Sequence, residues 1–330
     1  MKCVKVLLKD AEATRRKLTN KCFIDKRYKI LSGKKYVYIP VVNNVYGFHI
    51  VDKKLNNSNY VTNDLRELLN NKLGNKEISL FKRAHDVVGD IAIVELDDPL
   101  LKKKKIIADA FRKVHKNVRS VVRKIGMHEG KYRIQRYEVI SGDKNLETIH
   151  RENGVILKLD IGKVYFSPRL AAERLRIARC VKKDEDVLVM FSGAGIYCFV
   201  IAKHSKANEI YGVEINPYGH KYALESLKLN KFRNAKFFLG DVRKVVPKFS
   251  KKFDRIIMPL PISSLEFLNL GLQYIKHGGF IHLYFFSDEI GVKNVLDFIK
   301  KKCKCRILRV ARCGQQSPKV YRWCADFKVY

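Results

Sequence analysis

Residues 187–198, Val-Leu-Val-Met-Phe-Ser-Gly-Ala-Gly-Ile-Tyr-Cys, decide the fold of the larger part of this chain. The apolar run at the start of this stretch is typical of a buried parallel strand, and a helix is predicted from Ile196 onward. Between the two, Gly193 and Gly195 permit a tight turn and close approach of a ligand to the backbone. A dinucleotide-binding fingerprint requires a third glycine where this chain has Cys198. The turn therefore favours a nucleoside-binding α/β sheet and weakens the competing case for a nicotinamide dehydrogenase.

Apolar runs of strand length alternate with helical patterns throughout residues 153–330. The predicted parallel strands are 187–191, 209–213, 236–239, 253–258 and 280–286, and the predicted helices are 196–205, 217–230, 264–275 and 288–300. The last two runs, 305–311 and 320–330, lie too close together for a crossover helix, so we expect them to pair antiparallel. Five parallel strands and a terminal hairpin predict a doubly wound, Rossmann-like α/β sheet with a reversed edge strand, the layout of S-adenosylmethionine-dependent methyltransferases.

Acidic residues follow the second and third predicted strands. Glu214 stands at about the distance where a carboxylate receives ribose hydroxyls, and Asp241, in Gly240-Asp241-Val242, is placed to accept from an adenine amino group. Each acid alone is more often a helix cap or a solvated residue. Together with the glycine turn they mark the strand ends where open α/β sheets bind ligands, and they favour an adenosyl site.

A helix is expected to begin at Ser167-Pro168, with Ser167 as N-cap and Pro168 in the first helical position. Glu173 shares a face of that helix with apolar residues, a setting that suits a general base. The alternative is an ion pair with Arg169 or Arg176, which the local sequence favours.

Two further candidates lie on other elements. Arg133 falls within the predicted strand 131–139, where it is one basic residue among several. Pro259 and Pro261 stiffen the loop after the fourth strand, where methyltransferases that act on planar nitrogens place a proline-containing loop against the target base. A simple strand terminator would look the same.

The chain upstream divides into three parts. We expect a small αβ module at 1–52, a polar linker at 53–75 and a mixed αβ middle domain at 76–152, followed by the catalytic domain at 153–330. Predicted elements of the upstream parts are strands 3–8, 28–30, 36–40, 91–96, 118–124, 131–139 and 147–150, and helices 11–19, 64–71 and 101–116.

Charge indicates the class of partner. Lys and Arg number 67 against 33 Asp and Glu, giving +34 at pH 7, and the excess is spread over both halves of the chain. A body adapted to a polyanion is indicated, with nucleic acid as the leading partner, although a generally lysine-rich surface is the alternative. No apolar run reaches the length of a membrane span, and the N-terminus reads as a strand, not a signal peptide, so we expect a soluble cytoplasmic protein.

The eight cysteines, at 3, 22, 180, 198, 303, 305, 313 and 324, show no paired spacing of a zinc site. Most are expected to be small buried residues. Cys303 and Cys305 are candidate metal ligands, but packing on one face of a strand is the favoured interpretation, and no metal is predicted.

Several motifs together resemble a known family. They are Glu152-Asn153-Gly154, the block KLDIGKVYFSPRLAAER at 158–174, Gly-Ala-Gly at 193–195, VEINP at 213–217, GDVR at 240–243, MPLP at 258–261 and CADFKVY at 324–330. These stretches are similar to the archaeal and eukaryotic tRNA methyltransferases that form N1-methylguanosine at position 37, 3′ of the anticodon. The resemblance extends over nearly the whole chain.

The resemblance implies a three-domain enzyme whose N-terminal module reads the outer corner of the tRNA. By position, Arg133 matches the arginine that stabilises charge at guanine O6, and Glu173 matches the general base. The cofactor site is expected at Tyr165, Arg169, Phe191, Gly193, Gly195, Glu214, Asp241 and Val242. S-adenosylmethionine is the implied cofactor and tRNA, with tRNA-Phe foremost, the implied partner of a monomer that binds neither membrane nor DNA.

Three positions depart from the usual pattern of that family. Glu214 and Val189 replace aspartates, and Pro259 replaces the asparagine of the proline loop. The combination of Glu214 and Pro259 resembles an archaeal subfamily linked to wyosine synthesis, which also, or instead, methylates C7 of 4-demethylwyosine to give isowyosine. The open alternatives are an enzyme with only one of these activities and a non-catalytic RNA-binding protein that retains the fold.

Overall fold

The computed structural model describes residues 1–21, 23–58, 64–70, 72–82 and 85–330, in two compact units, Met1–Leu68 and Leu69–Tyr330. Cys22 and parts of the predicted linker lie outside these ranges. None of the described helices is long and apolar enough to cross a lipid bilayer.

The first unit is a small antiparallel sheet with one helix. Its elements are β1 (Lys2–Leu7), α1 (Ala11–Asn20), β2 (Leu31–Ser32), β3 (Tyr36–Pro40) and β4 (Ile50–Asp52), in the strand order β2-β3-β1-β4. Val4, Leu18 and Ile39 form the centre of its core. The strand predicted at 28–30 is wrong, because Tyr28 forms only an isolated bridge to Asn57 and the pairing with β3 begins at Leu31.

Two short helices, α2 (Leu65–Asn70) and α3 (Asn75–Leu80), follow, and the second was not predicted because its polar composition resembles that of a linker. The next sheet has four strands, β5 (His85–Val88), β6 (Ile91–Val94), β7 (Ser120–Glu129) and β8 (Ile134–Ser141), and α4 (Lys104–Val114) connects β6 to β7. Strands β6 and β7 are parallel because α4 crosses between them, and the other neighbours are antiparallel. Arg133 precedes β8 in a turn with φ 52°, so its predicted place inside a strand is wrong.

A two-stranded ribbon, β9 (Glu147–Glu152) and β10 (Val155–Asp160), leads into the large sheet. Its turn is Asn153-Gly154, and both residues have positive φ, 47° and 72°. An Asn-Gly pair suits this two-residue hairpin because it tolerates left-handed backbone at both positions.

The large sheet has seven strands. Its elements are α5 (Ala171–Cys180), β11 (Val187–Met190), α6 (Ile196–His204), β12 (Ile210–Glu214), α7 (Pro217–Asn230), β13 (Ala235–Leu239), α8 (Val242–Val245), β14 (Phe253–Met258), α9 (Leu268–Tyr274), β15 (Ile275–Ser287), α10 (Val292–Lys302), β16 (Cys305–Ser317) and β17 (Val320–Val329). The strand order is β13-β12-β11-β14-β15-β17-β16, and β11 to β15 are mutually parallel. Val187 and Val189 pack on one face and Leu188 and Met190 on the other, so both faces are buried, as a doubly wound sheet requires. The predicted fold class, a doubly wound sheet of five parallel strands with an antiparallel terminal hairpin, is therefore confirmed.

One detail of the predicted sheet is wrong. The reversed strand is β17, and it lies between β15 and β16 instead of at the edge. Because α10 crosses from β15 to β16, it leaves a place between them that the final strand fills. This insertion brings Arg322 beside Phe286 at the carboxyl end of β15.

Three local expectations also differ from the structure. Ser167 does stand at the helix start, but its side chain forms no capping hydrogen bond, and a short 3₁₀ turn, Pro168–Leu170, precedes α5. Cys303 ends α10 instead of lying on a strand with Cys305. Among the seven described cysteines only Cys3, Cys198 and Cys324 are buried, so the expectation that most are buried is wrong.

The turn between β11 and α6 gives a stability prediction. A methyl group on Gly195, whose φ is 87°, would lie 2.7–2.9 Å from the rings of Phe237 and Phe199, whereas a methyl on Gly193 would meet only the Tyr165 carbonyl at 4.0 Å. We expect Gly195→Ala to lower the free energy of unfolding by about 2–4 kcal/mol, through backbone strain and overpacking. Gly193→Ala adds strain alone and is expected to cost ~1 kcal/mol. Urea denaturation measures both, and equal losses would contradict this account of the turn.

Candidate active site

A cavity of about 300 Å³ opens at the carboxyl edge of the large sheet. Its walls come from the turn after β11, the end of β12, the loop after β14, the ends of β15 and β17, the segment before α5 and the tip of the β7–β8 hairpin. Topological switch points of this kind are where open α/β sheets bind ligands, because helices cover the rest of the surface. The hairpin of the middle domain thus contributes to the same cavity as the catalytic sheet.

Four of the eight residues predicted to bind a cofactor line this cavity: Tyr165, Phe191, Gly193 and Glu214. The others, Arg169, Gly195, Asp241 and Val242, are not among its lining residues. Arg169 binds the Asp86 carboxylate at 2.7 Å, and Asp241 caps α8 and pairs with Arg243. Val189, at the position of a family aspartate, is fully buried within β11. The cofactor-binding roles predicted for Arg169, Gly195, Asp241 and Val242 stay predictions.

Glu214 organises the cofactor side of the cavity. One carboxylate oxygen accepts the Gly193 N–H at 2.6 Å and the other accepts the Asn216 N–H at 2.7 Å, which ties the end of β12 to the glycine turn. Burial raises the pKa of the Glu214 carboxyl, although these backbone hydrogen bonds act in the opposite direction. A carboxylate has about four acceptor positions, and the backbone of Ile215 also contributes a hydrogen bond, so acceptor capacity still remains for a donor inside the cavity.

The space beside Gly193 fits an adenosyl group. A methyl group added there would point toward the cavity with no atom closer than the Tyr165 carbonyl oxygen. Phe191 lines the adjoining wall with φ 59°, an unusual conformation for an aromatic residue, and packs edge-on against Phe267 at 4.8 Å. Open backbone, an aromatic wall and a buried acceptor together suit a nucleoside.

The rest of the cavity lining includes cationic, aromatic and proline residues. Arg133, predicted to be catalytic, lines it with Lys131 and Tyr132 from the hairpin tip, and Pro259 lines it from the loop after β14. Sequence reasoning missed Tyr132, Tyr197, Phe286, Gln316 and Arg322. The basic and aromatic run at 131–133 was a usable signal, but Arg322 reaches the cavity because β17 inserts beside β15, and Gln316 lies near the end of the neighbouring strand β16.

Glu173 lies one layer behind the cavity wall and does not line it. Both carboxylate oxygens accept from the Arg176 guanidinium, at 2.7 and 2.8 Å, and one also accepts the Tyr284 hydroxyl at 2.6 Å. This is the ion pair that the local sequence favoured. Its neighbour Arg174 and the Tyr197 ring, which packs against Tyr284, form the wall in front of it.

The Arg176–Glu173 pair belongs to a buried row of charges. Arg176 also donates to Asp326, Asp326 accepts from His282 Nδ1 at 2.6 Å, and Arg255 approaches His282 Nε2 at 2.7 Å. Because a guanidinium only donates, His282 Nε2 must accept, so the imidazole is neutral with its proton on Nδ1. Burial, which lowers the His282 pKa, favours the same state.

Arg255 completes the row by binding the buried Glu185 carboxylate at 2.7 and 3.0 Å. The row therefore contains three carboxylates and two guanidiniums around a neutral histidine, with one negative charge in excess. His282, Cys324 and Asp326 form a group of metal-ligand types within 4.8 Å. Arg176 and Arg255 already bind Asp326 and His282, and the Cys324 thiol donates to Asp326 at 3.2 Å, so all three side chains have partners.

Comparison with known proteins identifies the family. Residues 148–310 match the TRM5/TYW2 methyltransferase domain, residues 65–145 the TYW2 N-terminal domain and residues 3–49 the tRNA methyltransferase 5 N-terminal domain. The tRNA (guanine(37)-N(1))-methyltransferase Trm5b of Pyrococcus abyssi is 38% identical over 99% of this chain and 98% of its own length. The chain belongs to the TRM5/TYW2 methyltransferase family. The predictions of the family, of an enzyme and of S-adenosylmethionine as its cofactor are confirmed.

Other TRM5/TYW2 relatives show the range of the family. The tRNA (guanine(37)-N(1))/4-demethylwyosine(37)-methyltransferase Taw22 of Nanoarchaeum equitans is 32% identical over 62% of this chain and 84% of its own length. The solved complex of aTrm5 with tRNA-Leu has a TM-score of 0.80 at 31% identity and covers 99% of both chains. Methanocaldococcus jannaschii Trm5 in complex with adenosine has a TM-score of 0.68 at 32% identity, over 100% of this chain and 99% of its own.

Glu214 gives a prediction for cofactor binding. Because its pKa is raised, we expect S-adenosylmethionine affinity to be full at neutral pH and to fall as the pH drops through a value above the usual 4.5 of a glutamate. Glu214→Gln replaces one acceptor oxygen with a donor that faces a backbone N–H, so affinity should fall about ten- to hundredfold and lose this pH dependence.

Titration calorimetry between pH 5 and 8 measures both effects. Glu209→Gln is the matched control, since Glu209 lies just before β12 at its opposite end and pairs with Lys236 and Lys251. Unchanged affinity in Glu214→Gln, or equal losses in both variants, would contradict the assignment.

Proposed function

We propose that this chain transfers a methyl group from S-adenosylmethionine to the purine at position 37 of tRNA. The observation that carries the proposal is a single cavity with two unlike sides. Gly193 and Glu214 suit an adenosyl group on one side, and Arg133 and Tyr132 suit a turned-out base on the other. The relatives named for position 37 support the target, and the excess of +34 charges suits a large RNA.

N1 of guanosine is the first candidate acceptor. Bound S-adenosylmethionine supplies a methyl group on a positively charged sulfur, and Glu214, Tyr165 and Phe191 would hold it. Guanine N1 carries a proton at neutral pH and is a poor nucleophile until that proton leaves. A base and a group that stabilises negative charge at O6 are therefore required.

We assign these two roles to Glu173 and Arg133. Arg133 lines the cavity with no ion pair to any described carboxylate, so its N–H groups are available to O6. Glu173 lies at the end of the buried row, which has one surplus negative charge. The Tyr284 hydroxyl and the Arg176 guanidinium donate to its carboxylate and hold it in place.

C7 of 4-demethylwyosine is the second candidate acceptor, and Pro259 is the observation that favours it. The loop after β14 presents Pro259, Leu260, Pro261 and Ile262 to the cavity. A proline has neither a backbone N–H nor a side-chain amide, so this wall is less polar than one with asparagine at 259. A less polar wall suits the additional ring of the tricyclic base.

We further propose tRNA-Phe as the substrate, since it is the tRNA that carries wyosine derivatives, and a monomer as the working unit. A tRNA substrate would place the reaction in the cytoplasm.

The assigned roles predict the effects of two substitutions. Glu173→Gln and Arg133→Ala should each lower single-turnover methylation of tRNA by about 10²–10⁴-fold, the range for removal of acid–base or charge-stabilising groups. tRNA affinity should change little. Arg136→Ala, on the same hairpin with its guanidinium paired to Glu129 at 2.7 Å, is the control and should remain active.

Because Glu173 takes part in a buried ion pair, the thermal midpoint and S-adenosylmethionine affinity of Glu173→Gln must be measured beside its rate. A folded, cofactor-binding Glu173→Gln variant with an unchanged rate would refute its role as the base.

The acceptor atom is tested directly with two forms of tRNA-Phe, one with guanosine and one with 4-demethylwyosine at position 37. Nucleoside mass spectrometry after incubation should find N1-methylguanosine from the first, and isowyosine from the second if Pro259 admits the tricycle. Pro259→Asn should then lower the second product relative to the first. Binding of both tRNAs and cofactor without any transfer would indicate an RNA-binding scaffold instead.

A further inference from the structure

The guanidinium of Arg322, a planar cationic fork of N–H donors, also lines the cavity. Neither the sequence motifs nor the roles assigned above give Arg322 a function. It extends from β17, and its Nη2 donates to the Tyr165 hydroxyl at 3.0 Å. The guanidinium carbon lies 5.4 Å from the centre of the Phe286 ring. No described carboxylate forms an ion pair with it, whereas the nearby Arg174 binds Glu152 bidentately at 2.6 Å.

The position of Arg322 assigns it to the side of the cavity that takes the target nucleotide. In the sheet order, β15 and β14 separate β17 from β11, whose turn holds Gly193. Tyr165 spans the interval, because its carbonyl oxygen lies 4.0 Å from the place of a Gly193 methyl while its hydroxyl meets Arg322. Arg322 therefore lies across Tyr165 from the cofactor side, near the exposed Gln316.

The chemistry of this fork suits an anion with several oxygens. A guanidinium has five N–H groups, and Tyr165 accepts only one of them. Contact with Phe286 and the bond to Tyr165 hold the plane of the group, so little side-chain entropy is lost when a ligand binds. A planar fork that is already oriented matches the bidentate geometry of a phosphate.

We propose that Arg322 binds a backbone phosphate of the RNA next to the base that enters the cavity, with Tyr165 as the residue that positions it. A nucleotide whose base is turned into the cavity brings its two flanking phosphates to the rim, where Arg322 and Gln316 stand. This inference rests on the proposed function, because it requires an RNA base as the occupant. Arg322 then contributes to the placement of the base without contacting it.

Binding assays test the proposal without turnover. Arg322→Gln removes the charge and should weaken tRNA binding about ten- to hundredfold. The negative slope of the log association constant against log salt concentration should become shallower by about 0.7–0.9, as expected for the loss of one phosphate contact. S-adenosylmethionine affinity should stay within about twofold. Arg322→Lys keeps the charge but loses the fork, so it should be intermediate in tRNA affinity with an unchanged salt slope.

Arg312→Gln is the control for the loss of one positive charge. Arg312 lies on the neighbouring strand β16, over the Tyr321 ring and 3.4 Å from Glu289, and it does not line the cavity. Retained cofactor affinity shows that Arg322→Gln is folded. A loss of cofactor affinity with unchanged tRNA affinity would overturn the proposal and assign Arg322 to the cofactor carboxylate.

A neutral methylphosphonate at either phosphate flanking position 37 identifies the contact. At one of the two positions it should weaken binding to the wild type about tenfold and leave Arg322→Gln unaffected. If a methylphosphonate at each of the two positions weakens tRNA binding by Arg322→Gln as much as it weakens binding by the wild type, the proposal is overturned. A wild type that binds tRNA but transfers no methyl group would refute the proposed function. The methylphosphonate experiment measures binding alone, so it would still test the contact between Arg322 and the phosphate.

Discussion

The buried row of charges from Glu173 to Glu185 is the constraint on which the site depends. It links α5, through Arg176, to Asp326 on β17, His282 on β15 and Arg255 on β14. Each group has a partner on both sides except the two terminal carboxylates, so removal of Arg176 or Arg255 leaves Glu173 or Glu185 buried without its guanidinium, at a cost of about 3–5 kcal/mol. The row therefore fixes the helix that carries Glu173 and Arg174 against the strands that end at the cavity.

The same constraint separates two electrostatic layers. The cavity wall in front is cationic, with Arg133 and Arg322, and the row behind it has one surplus negative charge. In the proposed reaction, Arg133 stabilises the negative charge on the target nucleobase and Glu173 accepts the proton that the nucleobase loses.

The sequence predicted what depends on local pattern. The strand Phe253–Met258 and the helix Pro217–Asn230 have the predicted bounds, because apolar runs and a Pro at the first helical turn mark them directly. The insertion of β17 was not predictable from local pattern, because the order of strands in a sheet is decided by long-range pairing between distant segments. Arg322 was missed for that reason. Glu173 was recognised through the family motif, but only the fold shows that it stands behind Arg174 and Tyr197.

In the proposed reaction, cofactor and target base occupy two sides of one cavity. A crystal structure of the chain with an unreactive S-adenosylmethionine analogue and tRNA-Phe tests it most directly. The account predicts the analogue's ribose at Glu214 and the position-37 base between Arg133 and Pro259, with a flanking phosphate at Arg322. A base bound outside this cavity, or an adenosyl group on the Arg322 side of Tyr165, would contradict it.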